Sequence, residues 1–440
     1  MQISVETTGR LGRRMTVALP ADQLEREVSA RLQRLSRTSR FPGFRPGKAP
    51  MKIIEAHYGG KVMEEVAGDL IQSSFYEAIV GQGLKPAGGP TIESRSIERG
   101  HDLKYTAVFE VYPEIGKLDV AGRQIERPIS SVTEADIDHT LESLRKQRMT
   151  WRATERAAQT DDRLVIDFEG RINGAPFEGG SASDFALVLG RKTLVDGFED
   201  NLIGAKAADV RSVHVRFPAD YRSQMLAGQD VDFEVKVKEV DEPVLPAVDS
   251  EFAKQFGIQD GSVDSLRAEV RRNLERELQD QIRARIRDQV FEALLQDNEL
   301  EVPSALHEAE IDKLIERAAA SLEAQGVARA KVPADRSLYA GQARRRVALG
   351  LILAEIVKSR AIVADPALVR ARVERLAESY ESPQKFIEWH YAEPGRLGEI
   401  ESLVLEEQVV DLLLQSATIK DKPLSLKELT QQADETRQEG

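Results

Sequence analysis

The side chains of this 440-residue chain favour gripping a substrate over attacking one. There is no cysteine, which removes thiolate nucleophiles, zinc–thiolate sites and disulfides together. The six histidines, His57, His101, His139, His214, His307 and His390, are scattered. None has a second histidine at helical ligand spacing, and His307-Glu308 lacks the closing histidine of a zinc-protease helix. Carboxylates are abundant, but no pair is set apart by its context, so acid–base catalysis has no candidate. Gly43 and Gly47 before Lys48 fall short of a phosphate loop, with three residues between the glycines where four are needed and Ala49 where Ser or Thr belongs. The expectation is no metal and no nucleotide cofactor. What remains is a series of aromatics set beside glycines: Phe168 with Gly170, Phe177 with Gly179-Gly180, Gly197-Phe198, Phe217-Pro218 with Tyr221, and Phe233. Any one of these rings is more simply a core residue. The ordered series is what singles them out.

A second cluster suits docking. Phe41-Pro42-Gly43-Phe44-Arg45-Pro46-Gly47-Lys48-Ala49-Pro50 cannot continue a helix, because its prolines lack the N–H donor and its glycines carry excess backbone freedom. A loop there projects Phe44, Arg45 and Lys48 into solvent or onto a partner. Residues 1–52 hold eleven Lys or Arg against four Asp or Glu, whereas the whole chain has a net charge of −13. That asymmetry fits one polyanion-docking end, with an aromatic anchor among the cations. The plainer reading is a solvated basic helix and an ordinary turn.

The run Gly43-Phe44-Arg45-Pro46-Gly47-Lys48-Ala49-Pro50 resembles the signature loop of the bacterial trigger factor family, and the domain order agrees along essentially the whole chain. The series from Val165 to Val240, including Val165-Ile166-Asp167-Phe168-Glu169-Gly170, is similar to the FKBP-type peptidyl-prolyl isomerase module. The first resemblance implies a ribosome-associated chaperone whose Phe44, Arg45 and Lys48 contact a large-subunit protein at the exit tunnel and adjoining RNA. It also implies binding of nascent and unfolded polypeptides, a cytoplasmic setting and the option of a homodimer when free. The second implies a curved antiparallel sheet over a short helix, with Phe168, Phe177, Phe198, Tyr221 and Phe233 lining a proline pocket. Glu178, Phe185, Leu194, Val195 and Phe217 stand as secondary lining. Single-domain members carry Tyr at the position of Phe168, Asp at Glu178 and Trp at Phe198, departures that bear on rate and inhibitor affinity.

These residues need elements to hold them. At 440 residues, about three domains are expected. Residues 2–19 alternate as two strands around Gly9 to Gly12, and Leu24, Val28, Leu32 and Leu35 mark one face of a helix over 21–38. Met51 to Val80 reads as helix with a break at Gly59-Gly60, followed by strands at about 90–98 and 102–112. Val132 to Thr150 reads as a connecting helix. Glycines and aromatics then thicken for about ninety residues, ending on the alternating strand Val231 to Val237. Beyond Pro246 the pattern is helical to the end, with a polar tail after Leu429. The longest apolar run, Val347 to Val357, is half a membrane span and contains Glu355, so it reads as a buried helix. The amino-terminal residues lack the apolar core of a signal peptide and are expected to stay in the mature protein.

The resulting expectation is a multidomain α+β protein. It has an α+β ribosome-docking domain (1–112), a helical connector (113–150) that packs with the carboxy-terminal body, an FKBP-like module (151–243) and an all-α chaperone body with arms (244–440). Its function is that of a ribosome-associated chaperone that isomerises X-Pro bonds, without a membrane anchor. Two rivals are a prolyl isomerase with a nucleic-acid-binding basic end, and a scaffold with a dead pocket. Nucleic-acid readers pair basic runs with several stacking aromatics, whereas here one Phe stands alone at a turn.

Overall fold

A computed structural model of the chain describes residues 1–38, 44, 50–221, 223, 225–326, 329, 335–378 and 380–429. In chain order the elements are β1 (Gln2–Thr7), β2 (Gly12–Leu19), α1 (Ala21–Thr38), α2 (Met51–Gly81), β3 (Thr91–Ser96), β4 (Leu103–Glu110), β5 (Gln124–Ile129) and α3 (Glu134–Gln147). There follow β6 (Thr150–Ala153), β7 (Arg163–Ile172), β8 (Ala175–Val188), a 3-10 turn at Asp200–Leu202, β9 (Val210–Arg216) and β10 (Asp230–Val244). Helices complete most of the remainder: α4 (Ser250–Gln255), α5 (Val263–Asp297), α6 (Ser304–Ala324), α7 (Ser337–Ser359), α8 (Pro366–Ala377), α9 (Pro383–Ala392) and α10 (Gly398–Leu414), with β11 (Thr418–Pro423) last. Met1–Ile129 and Ile282–Pro423 form one compact unit, and Ser130–Gln281 forms the bulk of a second.

In the first unit, β1-β2-β4-β3 make an antiparallel sheet whose inward positions follow from period-two alternation. Met15, Val17 and Leu19 of β2 and Leu103, Tyr105, Ala107 and Phe109 of β4 are buried against Leu24, Val28 and Leu32 of α1 and Ile54, Val62, Val66 and Leu70 of α2. Helix α2 runs through Gly59-Gly60 without the expected break. Two interior glycines cost a helix about 1 kcal/mol each, but buried apolar residues on both sides tie it to the sheet, and Gly59 itself is buried.

The same unit contains a helical core in which Val120 and Ile125 lie with Val290, Phe291 and Leu294 of α5, Ile352 and Ile356 of α7, and Val409, Val410 and Leu413 of α10. Asp297 anchors the incoming segment by accepting from Lys117 Nζ at 2.8 Å and from the Arg123 guanidinium. Those cations hold its carboxyl below its ordinary 3.8, at about 2, through hydrogen bonds first and charge second. The chain does not stay helical to its end: β11 pairs in parallel with β5. Its residues Thr-Ile-Lys-Asp-Lys-Pro are all exposed and lack apolar alternation, so periodicity gave no sign of a strand. The pairing is bordered by Arg127–Asp421 at 2.7 Å and Lys422–Glu126 at 2.9 Å.

In the second unit, the capping box of Thr133 and Asp136 starts α3, whose Ile137 and Leu141 are buried with Phe252, Ala253, Leu266 and Val270. The neighbouring sheet has the order β6-β10-β7-β8, and β9 pairs with the first half of β10 on the edge that β6 takes further along. Its buried Asp162 and Asp241 are paired with Arg156 and Arg163, as burying a carboxylate requires. Among the described residues, the helix expected over this sheet is a single 3-10 turn at Asp200–Leu202. Among the described residues, no helix is long and apolar enough to cross a membrane.

Candidate active site

Strand register brings the aromatic series together. Phe168 of β7 is opposite Val235, two residues from Phe233 on β10, and the β7–β8 pairing carries Phe185 to its other side. The Phe168 ring meets Phe185 at 5.7 Å, Phe233 at 5.8 Å and Phe198 at 6.0 Å between centroids. Phe233 in turn meets Phe198 at 5.2 Å and Phe177 at 6.3 Å. All five pairs are edge-to-face, which sets the positive ring edge on the negative face of its neighbour. Phe198 and Phe233 are buried, while Phe168, Phe177, Phe185, Leu194 and Val195 are half-buried and pack against the same core. The half-buried rings are the ones that reach the surface, and the buried pair packs behind them. Phe217 is buried and pairs with the exposed Tyr221 at 4.7 Å, and Glu178 is exposed.

Two glycines and a glutamate complete this arrangement, and the sequence reading left them out of the candidate site. A Cβ on Gly170 would lie 2.5 Å from Phe233 Cε1 and 2.9 Å from Phe177 Cε1, and one on Gly180 would lie 2.7 Å from Phe177 Cζ. Both positions must be bare for the rings to approach the strands this closely. Glu199 is buried beside Phe198 and accepts from the backbone N–H groups of Gly190 (2.8 Å), Lys192 (3.0 Å) and Thr193 (2.7 Å) and from the Thr193 hydroxyl. Burial alone would push this carboxyl up, but the four donors outweigh it and hold the group below the usual range. The loop that carries Leu194 and Val195 is thereby fixed by a charge whose hydrogen-bond donors among the described residues are three backbone N–H groups and one hydroxyl. The signal available in the sequence was an acid flanking an aromatic in Gly197-Phe198-Glu199, a weak one.

Such a surface suits a reaction without a nucleophile. An X-Pro amide isomerises over a barrier of roughly 20 kcal/mol because twisting breaks resonance, and the twisted amide is less dipolar than either planar form. An apolar aromatic surface that displaces water favours the twisted state.

Residues 154–238 match the family model for the FKBP-type peptidyl-prolyl cis-trans isomerase. Residues 1–144 match that for the bacterial trigger factor protein, and residues 262–415 match that for its C-terminus. Trigger factors of Pseudomonas paraeruginosa and of Pseudomonas putida strain GB-1 are each 45% identical over 434 residues, covering 99% of this chain and 99% of theirs. The chain belongs to the trigger factor family. A solved structure of the trigger factor chaperone, concerned with promiscuous substrate recognition in folding and assembly, aligns with 94% of this chain and 99% of its own at 18% identity and a TM-score of 0.48. The chain is therefore a ribosome-associated chaperone for nascent polypeptides, and its FKBP-type domain catalyses cis/trans isomerisation of X-Pro bonds. Of the three residues expected to dock, Phe44 is 39% exposed, and Arg45 and Lys48 lie outside the described residues.

Proposed function

We propose that the prolyl ring is held by Phe168, Phe177 and Phe185 above the buried Phe198 and Phe233, with Tyr221, Glu178, Leu194 and Val195 at the rim and the buried Phe217 behind Tyr221. The observation that supports this most is the set of five edge-to-face contacts centred on Phe168 and Phe233. Phe177→Ala in the full chain tests it, since this half-buried ring can be removed without emptying the core. Isomerisation of a short prolyl peptide should fall about tenfold, as loss of a positioning contact does. Unchanged activity in a variant with unchanged circular dichroism would remove Phe177 from the site.

For the partner surfaces, the reading is that Phe44, Arg45 and Lys48 together contact a large-subunit protein at the exit tunnel and adjoining RNA, and that residues 244–440 hold unfolded clients. Exposure of Phe44 supports the first part. Trp389, Tyr391, Tyr380, Leu376 and Leu403, all exposed on or beside α8, α9 and α10, support the second. The division at 112, 150 and 243, the cytoplasmic setting and a homodimer of the free chain are carried by the family alone. Cosedimentation with ribosomes tests the loop: the triple alanine variant at 44, 45 and 48 should stay in the supernatant. Binding by the intact chain should weaken as salt rises.

A further inference from the structure

We propose that Lys238, Asp167 and Asp184 form a positioning device for the isomerase site, acting through Phe185; the proposal rests on the pocket reading above. Of the three register irregularities in the pairings of β7, two meet through their side chains at Asp167. On one side, Lys238 is the extra residue of β10 between the pairs Val237–Ile166 and Glu239–Val165. On the other, Ser183 and Asp184 of β8 both oppose Asp167, between the pairs Phe185–Ile166 and Ala182–Phe168. A bulge of this kind bends its strand and re-aims the next side chain. Here the next side chain after Asp184 is Phe185.

A single ammonium closes both irregularities. Lys238 Nζ donates to Asp167 Oδ1 and to Asp184 Oδ1, each at 2.8 Å, while the Asp184 N–H donates to Asp167 Oδ1 at 2.9 Å. Asp184 adopts φ 54°, a left-handed conformation that non-glycine residues seldom take without local hydrogen bonding. Asp167 lies below the usual carboxylate range and Lys238 above the usual lysine range, each chiefly through the hydrogen bond to the other. Without the cation, two carboxylates would face each other across the bulge, and repulsion would open it. Alternation along β7 puts Asp167 on the face opposite Phe168, so the network touches no substrate. Its lever is the placement of Phe185, whose ring stands at 89° to that of Phe168.

The experiment is a double-mutant cycle on the full chain, reading kcat/KM for isomerisation of a short prolyl peptide. Lys238→Met should lower kcat/KM about tenfold, because displacement of a contact by a fraction of an ångström is costly in a preorganised site. Lys238→Arg should restore most of the activity, since a guanidinium can also bridge two carboxylates. Phe185→Ala alone should show a loss of similar size. The double variant Lys238→Met/Phe185→Ala should be no worse than the poorer single variant, because both changes act on the same ring. Asp184→Asn, at an exposed position, repeats the test without risk to the fold and should reproduce part of the Lys238→Met loss. Multiplying effects in the double variant would overturn the proposal, as would Lys238→Met activity within about twofold of the parent, the scatter of independent sites. If Phe168→Ala and Phe185→Ala lower activity while Lys238→Met does not, the positioning device falls and the pocket stands. If Phe168→Ala has no effect, the pocket reading falls with it.

Discussion

The isomerase sheet and the helical arms use apolar side chains in opposite ways. In the sheet, each half-buried ring is fixed by a neighbour that leaves it no alternative: Gly170 and Gly180 receive Phe177, Phe233 backs Phe168, and Glu199 pins the loop of Leu194 and Val195. Where α8 to α10 meet one another, a small cluster of Val369, Val373, Ile400 and Val404 is buried, and Trp389, Tyr380 and Tyr391 remain exposed. One region presents one small aromatic surface in one geometry, which under the proposed function suits a single five-membered ring. The other leaves several large apolar side chains exposed on separate helices, which under the proposed function suits weak contact with many sequences. The two tasks also differ in what damages them. A geometric site is sensitive to fractions of an ångström, while a dispersed surface is sensitive mainly to loss of the scaffold beneath it.

The largest expected effect is on that scaffold. Ile352 is fully buried in the core that α5, α7 and α10 share with Val120 and Ile125. Ile352→Ala should cost about 2–5 kcal/mol, the transfer term plus a cavity term. Because the aromatic site lies in the other compact unit, kcat/KM for a short prolyl peptide should be unchanged at temperatures where the helical signal persists. A parallel fall of isomerase activity and helicity would mean that the two regions are energetically one. Next in size is Gly170→Ala, which forces a methyl to within 2.5 Å of the Phe233 ring. Overpacking of this kind costs about 1–3 kcal/mol. The same displacement should remove most isomerase activity while ribosome cosedimentation and suppression of client aggregation persist. Activity close to the parent would show that the rings have more room than their contacts imply.

Much of this contrast was legible in the sequence. Period-two runs such as Val231 to Val237 and the glycine–aromatic series located the sheet and its rings, because a half-buried strand writes its burial into alternate residues. The stripe of Leu24, Val28 and Leu32 located α1 equally well. Features set by tertiary contact were not legible. The strand β11 is polar throughout and exists through its partner β5, and α2 runs through two glycines because the sheet holds it. Within the site, the bulges at Asp184 and Lys238 depend on register between strands separated in the chain, and the burial of Glu199 depends on the fold of the loop it grips. A residue's type showed what it could do, but only the neighbouring strand showed where it points.

A smaller effect separates the two regions by pH. The carboxyl of Asp297, lowered to about 2 by Arg123 and Lys117, belongs to the helical core. A carboxyl depressed in the folded state stabilises it fully above its ordinary 3.8, and that contribution disappears as pH falls towards about 2. Thermal unfolding of the helices followed from pH 5 down to pH 2 should therefore show a steeper acid decline for the parent than for Asp297→Asn, a range chosen to span that titration. Parallel declines would assign the acid sensitivity of the body to other carboxylates.

The smallest effect expected is at the pair that borders β5 and β11. Arg127 donates to Asp421 through Nε at 2.7 Å and Nη2 at 3.1 Å, a bidentate geometry, yet both side chains are about half exposed. Exposed ion pairs contribute about 0–1 kcal/mol, because water already solvates both charges and salt screens their attraction. The backbone ladder of the parallel pair and the burial of Ile125 remain when the charge is removed. Asp421→Asn should thus shift the urea midpoint of the helical body only slightly, and the difference from the parent should shrink at high salt. The isomerase site should not register the change. A loss above about 2 kcal/mol would exceed what an exposed pair supplies. It would mean that β11 depends on this pair to stay docked, and that a strand without sequence signal can still be a point on which the body depends.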